Sequence, residues 1–297
     1  MKKWRDLPTP PVFTGYERLE EREAVVLAAH KSTSDEAWLA LSPCPFYAES
    51  GGQCADQGTV WIENEVTIDN PDGGLVALPV LDVRAPWPGG VVVRVGLPEG
   101  TLPKLQAGVT CRPAVTYEWR AGARRHHTAT HLLHAALRQV LGTHVAQHGS
   151  RVMSDKLSFD FAHSSPLTAQ QIEAVEKWVN DVISLDVAVN MQLMGFKQAV
   201  EQGATALFTD KYGDQVRVIS VPGYSMELCG GTHVQSTAQI QCFKITAQSS
   251  LGSNTRRIEA VAGPAALQHL QQRVKLIDNI AALLKTEVDT LENKVSQ

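Results

Sequence analysis

His127-Thr128-Ala129-Thr130-His131 is the stretch around which the chain is organised, together with Cys229-Gly230-Gly231-Thr232-His233 about a hundred residues later. Each stretch places two potential metal ligands four positions apart. On a helix, positions i and i+4 share a face, so the two histidines of the first stretch can point at one site. The cysteine and histidine of the second stretch can complete it, and three imidazoles with one thiolate suit tetrahedral Zn²⁺. The predicted ligands are His127, His131, Cys229 and His233.

A helix is predicted over 128–141, because apolar residues recur there at a spacing of 3.6 and Gly142 is placed to end it. The histidines fall on a different stripe, which predicts that they lie beside the core and not in it. Basic residues precede this helix and predict either an anion contact or a solvated turn, since the helix dipole disfavours cations at that end. They are Arg120, Arg124, Arg125 and His126.

Composition describes a globular chain with room for two domains: it has 297 residues, 43% of them hydrophobic. A formal charge of −4 argues against an indiscriminate nucleic-acid binder but leaves room for a local basic patch. Neither a membrane span nor a signal peptide is expected. The five cysteines are an odd number without a short-range framework, which favours a reducing compartment. We therefore expect a cytoplasmic protein, or one of an organelle of endosymbiotic origin.

The pattern of short segments predicts an α+β protein of three parts. Residues 1–118 read as short strands separated by Gly/Pro turns, which is typical of a small β-barrel. Residues 119–263 alternate helices and strands and predict an α/β sandwich, in which Thr168–Gln171 is a capping box. Residues 264–297 carry a heptad repeat that predicts one long helix, for oligomerisation or docking or as a linker to a further C-terminal domain. The N-terminal strands are expected at 24–29, 59–62, 66–68, 75–83 and 91–95; those of the sandwich at 157–161, 187–191, 216–221, 243–247 and 257–261.

One N-terminal loop, 44–58, combines aromatic residues, a carboxylate, an amide and paired glycines. A plain hairpin loop would need the glycines, but not Phe46, Tyr47, Glu49 or Gln53. The composition therefore indicates a functional loop.

Several motifs together resemble the editing domain of alanyl-tRNA synthetase, from about Phe13 to the end of the chain. They are the two ligand stretches, 45–53 (Pro-Phe-Tyr-Ala-Glu-Ser-Gly-Gly-Gln), 142–147 (Gly-Thr-His-Val-Ala-Gln) and 257–260 (Arg-Ile-Glu-Ala). The resemblance implies a zinc-dependent hydrolase that removes serine or glycine wrongly esterified to alanine tRNA. No aminoacylation motif is visible, so activation of alanine is not expected.

The resemblance also implies roles for individual residues. Gln147 and Thr130 are candidates for bonding the seryl hydroxyl, although Thr130 could instead bond back to its own helix. The general base is either Glu49 or a hydroxyl of the terminal ribose. The approach of the tRNA 3′ end is expected to be lined by Gly51, Gly52, Gln53 and Asp56. Phosphate contacts are expected from Arg124, Arg125, Arg256 and Arg257.

Three questions stay open on the sequence. Four protein ligands bound at once would make the zinc site structural, whereas a displaced ligand would make it catalytic. The competing interpretation is a non-catalytic, zinc-stapled tRNA-binding module, and a weaker one is deacylation of threonine tRNA. The chain could be a free protein or an excised synthetase domain.

Overall fold

The computed structural model describes Trp4, Leu7 and residues 10–65, 74–101, 103–206 and 213–296. The chain forms two compact units. The first comprises residues 1–127 with 150–154 and 229–233; the second comprises 128–149, 155–228 and 234–297.

Six antiparallel strands of the first unit close into a barrel, in the order β1-β2-β5-β4-β3-β6. They are β1 (Ala24–Lys31), β2 (Glu36–Ser42), β3 (Gly58–Glu63), β4 (Leu75–Arg84), β5 (Val92–Gly96) and β6 (Thr110–Val115). Side chains alternate between the two faces of a strand, and β4 shows this in the buried Val76, Leu78 and Val80; an irregularity after Val80 shifts the pattern, so that Val83 is the next buried residue. The predicted barrel is therefore confirmed. Two of its strands, β2 and β6, were not predicted, and the expected strand 66–68 lies outside the described residues.

Two sheets belong to the second part of the fold. One has the strand order β11-β10-β9 and the other β12-β13-β8-β7. The strands are β7 (Gln147–Val152), β8 (Leu157–Ala162), β9 (Asn190–Gly195), β10 (Gln215–Val221), β11 (Ser225–Leu228), β12 (Phe243–Gly252) and β13 (Thr255–Ala262). The strand expected at 187–191 begins three residues later, and β7 and β11 were not predicted.

Helices supply much of the core of the second unit. Helix α1 (Tyr117–Leu141) buries Leu132, Leu133 and Leu137 there, and α2 (Ala169–Ser184) buries Val175, Val179 and Val182. The capping box of α2 is present as predicted: Thr168 Oγ1 accepts from the Gln171 backbone N–H, and the Gln171 side chain accepts from the Thr168 N–H. A short helix, α3 (Phe196–Glu201), follows β9.

Helix α1 begins eleven residues before the predicted start, at Tyr117 instead of Thr128. The Arg120 N–H already donates to the Thr116 carbonyl, and Glu118 in the first turn suits the positive end of the dipole. The basic residues expected to precede the helix therefore lie inside it. The argument from the helix dipole does not apply to Arg124 and Arg125.

The C-terminal helix is confirmed but is shorter than its heptad repeat. Helix α4 (Pro264–Leu283) ends where Lys285 adopts a left-handed backbone with φ 51°. A 3-10 turn (Val288–Thr290) and the short α5 (Leu291–Val295) follow. Among the described helices, none has the length and apolarity to cross a membrane. The α+β class, with an N-terminal barrel and a C-terminal helix, is confirmed.

Candidate metal centre

Helix α1 carries the first two predicted ligands, one turn apart. His127 and His131 are 3% and 4% exposed, so they are buried although they lie on a different stripe from the apolar residues. Both sides of this part of the helix are covered, which leaves the polar stripe buried together with the apolar one. A buried imidazole needs a polar partner, and side chains from other parts of the chain supply several.

The loop after β11 brings the other two ligands to His127. The Cys229 Sγ atom lies 3.4 Å from His127 Nε2 and 3.3 Å from His233 Nε2. One potential ligand atom from each of His127, His131, Cys229 and His233 can be chosen so that all four lie within 4.8 Å of one another.

These spacings fit a bound metal. Zn–S and Zn–N bonds of about 2.3 and 2.1 Å place sulfur and nitrogen about 3.6 Å apart along the edge of a tetrahedron. The two sulfur–nitrogen distances approach that edge length, and the donor set is soft enough for a thiophilic divalent ion. The cluster can therefore hold a metal ion.

The position of Gly231, in the middle of this loop, leaves no room for a side chain. A Cβ atom at this position would lie 2.0 Å from Cε1 and 2.3 Å from Nδ1 of His127. The imidazole packs directly against the bare backbone, so any side chain at Gly231 would displace a ligand.

Gln53 belongs to the loop 44–58, called the Gly-rich loop below, and is fully buried beside the His127 ring. Its Oε1 lies 2.8 Å from His127 Nδ1 and accepts from the Thr232 backbone N–H at 2.8 Å. Its Nε2 donates to Thr232 Oγ1 at 2.9 Å. Gln53 thus contacts both ligand-bearing segments.

Glu227 is the carboxylate nearest His131. Its Oε2 is 3.5 Å from His131 Nε2, and its Oε1 is 3.0 Å from His134 Nδ1. Burial lowers the pKa of His131 below its ordinary value, although Glu227 opposes the shift. The His131 imidazole is therefore neutral at pH 7, the form that binds a metal.

The expected substrate-binding residues differ in accessibility. Thr130 is 3% exposed within α1, whereas Gln147 is half-buried at the start of β7. Glu49 and Gly51 are exposed at the tip of the Gly-rich loop. Gly52 lies against β7, where a Cβ atom would meet the Ser150 Oγ at 2.5 Å.

Asp56, one of the residues expected along the approach of the tRNA 3′ end, has a buried carboxylate that is paired with Arg120. Arg124 and Arg125 are half-buried, and Arg124 Nη2 donates to the Tyr16 carbonyl at 3.0 Å. Burial lowers the pKa of Arg124, to which the neighbouring Arg120 adds.

Arg256 and Arg257 do not form one basic patch. They are adjacent in β13, and successive strand residues face opposite sides of a sheet. The Arg257 guanidinium binds Asp160 through two hydrogen bonds of 2.7 and 2.8 Å. The Nε of Arg256 is buried and has no hydrogen-bond partner in the described part of the chain.

Three residues at the centre were not predicted. Glu227 and Thr232 stand within or beside the Cys229–His233 motif, so proximity in sequence was an available signal. Tyr16 had no such signal: its hydroxyl donates to the Gly230 carbonyl at 2.7 Å across a separation of 214 residues.

Comparison with known proteins finds related sequences. Residues 216–259 match the family model described as the threonyl and alanyl tRNA synthetase second additional domain. The chain is 44% identical over 289 residues to an alanine–tRNA ligase of Thermotoga petrophila, covering 95% of this chain and 32% of the relative. It is 43% identical over 290 residues to that of Thermotoga maritima, again covering 95% and 32%.

A further relative, the alanine–tRNA ligase of Chlorobium phaeobacteroides, is 42% identical over 294 residues, which are 96% of this chain and 32% of the relative. The chain therefore spans about a third of the length of the curated relatives it matches. The resemblance to the editing region of alanyl-tRNA synthetases is confirmed.

Proposed function

We propose that this chain, which is related along nearly its whole length to one segment of the alanyl-tRNA synthetases, is a zinc-dependent aminoacyl-tRNA deacylase that hydrolyses Ser-tRNA(Ala) and Gly-tRNA(Ala). The observation that carries the proposal is the His127–His131–Cys229–His233 cluster, whose potential ligand atoms lie within 4.8 Å of one another. Two imidazoles on a helix and a Cys-x3-His loop supply the four nitrogen and sulfur donors that tetrahedral zinc takes. A structural metal with all four ligands bound would fit the same cluster, so a measurement of hydrolysis distinguishes a catalytic metal from a structural one.

Editing is the chemical need behind the proposal. An alanine pocket rejects serine poorly, because one added hydroxyl changes binding little, and a second hydrolytic site is the usual remedy. That site has to spare the correct alanyl ester. A buried polar group that bonds the seryl hydroxyl is left unpaired by alanine, at a cost of about 1–3 kcal/mol.

The chain's own residues would divide the work as follows. His127, His131, Cys229 and His233 hold the ion, which when bound supplies Lewis acidity toward the ester carbonyl. Thr130, buried one residue before His131, and Gln147, half-buried in β7, are the groups proposed to read the seryl hydroxyl. Glu49 is exposed and can take a proton from water, and the ribose hydroxyl next to the ester is the alternative base.

The competing function is a non-catalytic, zinc-stabilised tRNA-binding module. Four protein side chains are available to the metal, and a site that keeps all four closed is typical of a structural zinc. Such a protein would bind alanine tRNA and leave its ester intact. Deacylation of threonine tRNA is a weaker alternative, which an assay on both tRNAs would separate.

Partners and compartment follow from the same proposal. The tRNA is expected to bind through its aminoacylated 3′ end in a cytoplasmic setting, where protein synthesis occurs. The exposed residues Leu267, Leu270 and Val274 of α4 favour a homodimer or a docked helix. Sedimentation equilibrium tests this, and a monomer mass at every concentration would reject the homodimer.

His131→Ala tests the metal assignment. We expect the variant to lose zinc and Ser-tRNA(Ala) hydrolysis together, because removing one of the four ligands weakens binding of the ion on which the reaction depends. His269→Ala, on α4, is the matched control and should retain both. Full hydrolysis by His131→Ala would contradict the proposal, and zinc binding by the wild type without any hydrolysis would favour the binding module.

A further inference from the structure

The side chain of Gln53 is fully buried and touches both segments that carry metal ligands. We propose that Gln53 is a positioning residue, which fixes the proton on His127 and thereby directs His127 Nε2 toward the metal. The inference rests on the metal site of the proposed function. It assigns to Gln53 a role other than contact with tRNA.

The backbone of Thr232 determines which way the Gln53 amide points. A backbone N–H can only donate, and that of Thr232 lies 2.8 Å from the atom assigned as Oε1. The opposite amide orientation would place an NH₂ group against this N–H. The remaining amide nitrogen donates to Thr232 Oγ1 at 2.9 Å, and that hydroxyl also lies 3.2 Å from Oε1.

The same oxygen then determines which ring nitrogen of His127 carries the proton. His127 Nδ1 lies 2.8 Å from Gln53 Oε1, and an amide oxygen can only accept, so Nδ1 carries the proton. In the neutral imidazole this leaves the lone pair on Nε2. That nitrogen is the one that lies 3.4 Å from the Cys229 Sγ. Gln53 therefore leaves His127 with its ligand atom on the side of the cluster.

The loop that carries Gln53 is itself held in place. The Gln53 N–H donates to the Ser50 carbonyl at 3.0 Å, and the Ser50 N–H donates to the Gln53 carbonyl at 3.2 Å. The next residue, Cys54, donates its N–H to the Val152 carbonyl at 2.9 Å. These bonds fix the backbone from which the amide reaches His127. They give the Gly-rich loop a purpose at the metal that its sequence composition did not indicate.

Gly231 packs against the same edge of the ring. A Cβ atom there would lie within 2.3 Å of His127 Nδ1 and 3.0 Å from Gln53 Oε1. The Nδ1–Cε1 edge of the imidazole is thus enclosed by an acceptor and a bare backbone. A metal-binding histidine oriented through its other nitrogen has a raised ligand basicity and a fixed ring, and loss of such a partner lowers metal affinity about 10- to 100-fold.

The test uses the whole chain and the metal alone as the probe. We expect Gln53→Met to weaken zinc about 10- to 100-fold in competition with a chromophoric chelator. Its cobalt-substituted form should show altered d–d and thiolate charge-transfer bands. Gln53→Glu keeps an acceptor for both N–H groups and should restore affinity to within a few-fold of wild type. Gln57→Met, the same substitution at an exposed position of the same loop, should change neither quantity.

Unchanged zinc affinity and an unchanged cobalt spectrum in Gln53→Met would overturn the proposal. A second measurement covers a variant that does not fold: ¹⁵N NMR of the metal-free wild type reports which imidazole nitrogen of His127 carries the proton. Protonated Nδ1 is expected, and protonated Nε2 would refute the proposal without any variant. A wild type that binds zinc but hydrolyses nothing would reject the proposed function and leave the role of Gln53 standing.

Discussion

At the scale of single residues, Arg120 shows how a buried charge stabilises the first unit. The guanidinium is fully buried on α1. It pairs with the Asp56 carboxylate, Nε lying 3.0 Å from Oδ1, and donates to the Gly15 and Pro45 carbonyls. A buried charge is stable only when it is paired and its hydrogen bonds are satisfied. Both members of the pair are therefore structural.

Removing one member of this pair should destabilise the protein strongly. We expect Arg120→Met to lower the free energy of unfolding by about 3–5 kcal/mol, because it leaves Asp56 charged and unpaired in the interior. Urea denaturation measures this. Lys104→Met breaks the exposed pair with Glu63 and is the control, with an expected loss below about 1 kcal/mol. A loss of similar size in both variants would contradict the account of Arg120.

Two buried thiols predict a dependence on alkaline pH. Burial raises the pKa of Cys44 and of Cys111 from 9.0 to about 12 each. Both thiols stay neutral in the folded state while they ionise in the unfolded chain above its lower pKa. Their contribution to stability is therefore complete below about pH 9 and is lost as the pH rises toward 12.

Alkylation followed by mass spectrometry checks the same thiols directly. We expect iodoacetamide at pH 8.5 to leave Cys44 and Cys111 unmodified in the folded protein and to modify both in urea, because the thiolate is the reacting form. Rapid modification of either thiol in the folded protein would show that burial does not protect it.

At the scale of elements, α1 was predicted correctly at its end and wrongly at its start. Gly142 marks the end, with φ 115° in a conformation that favours glycine. The first turns, by contrast, contain Arg120, Arg124 and Arg125 and few aliphatic residues, so no apolar stripe is visible. Burial of Arg120 against Asp56 takes the place of that stripe, and only the tertiary structure reveals it.

Gly122 provides a prediction for this helix. Alanine is normally favoured over glycine within a helix by about 1 kcal/mol. A Cβ atom at Gly122, however, would lie 2.1 Å from the Ser154 carbonyl oxygen. We therefore expect Gly122→Ala to lower the midpoint of thermal unfolding in spite of its helix propensity. A higher midpoint would mean that the Ser154 segment yields, and would contradict the close packing described for this turn.

The strands, too, were predicted from the sequence only in part. Alternation predicted β8, whose residues are alternately buried and half-buried. It did not predict β6, since Pro113 removes a backbone donor and argues against a strand. In the barrel Pro113 still pairs with Val60 across the ladder, and its carbonyl accepts from the Glu21 N–H at 3.0 Å.

At the scale of the whole molecule, the metal cluster was the most predictable feature, because each ligand pair lies within five residues of sequence. What surrounds the cluster was not predictable. Gln53 reaches Thr232 across a separation of 179 residues, and Asp56 reaches Arg120 across 64. Both were expected along the tRNA path, because a polar residue in a Gly-rich loop carries no signal of a distant partner.

The chain corresponds to about a third of the alanine–tRNA ligases it matches, so its activity in isolation is the central question. The most direct measurement is hydrolysis of Ser-tRNA(Ala) and Ala-tRNA(Ala) by this chain alone, with and without a zinc chelator. Our account predicts rapid loss of serine, sparing of alanine, and inhibition by the chelator. Intact Ser-tRNA(Ala) in the presence of zinc-loaded protein, or hydrolysis indifferent to the chelator, would contradict it.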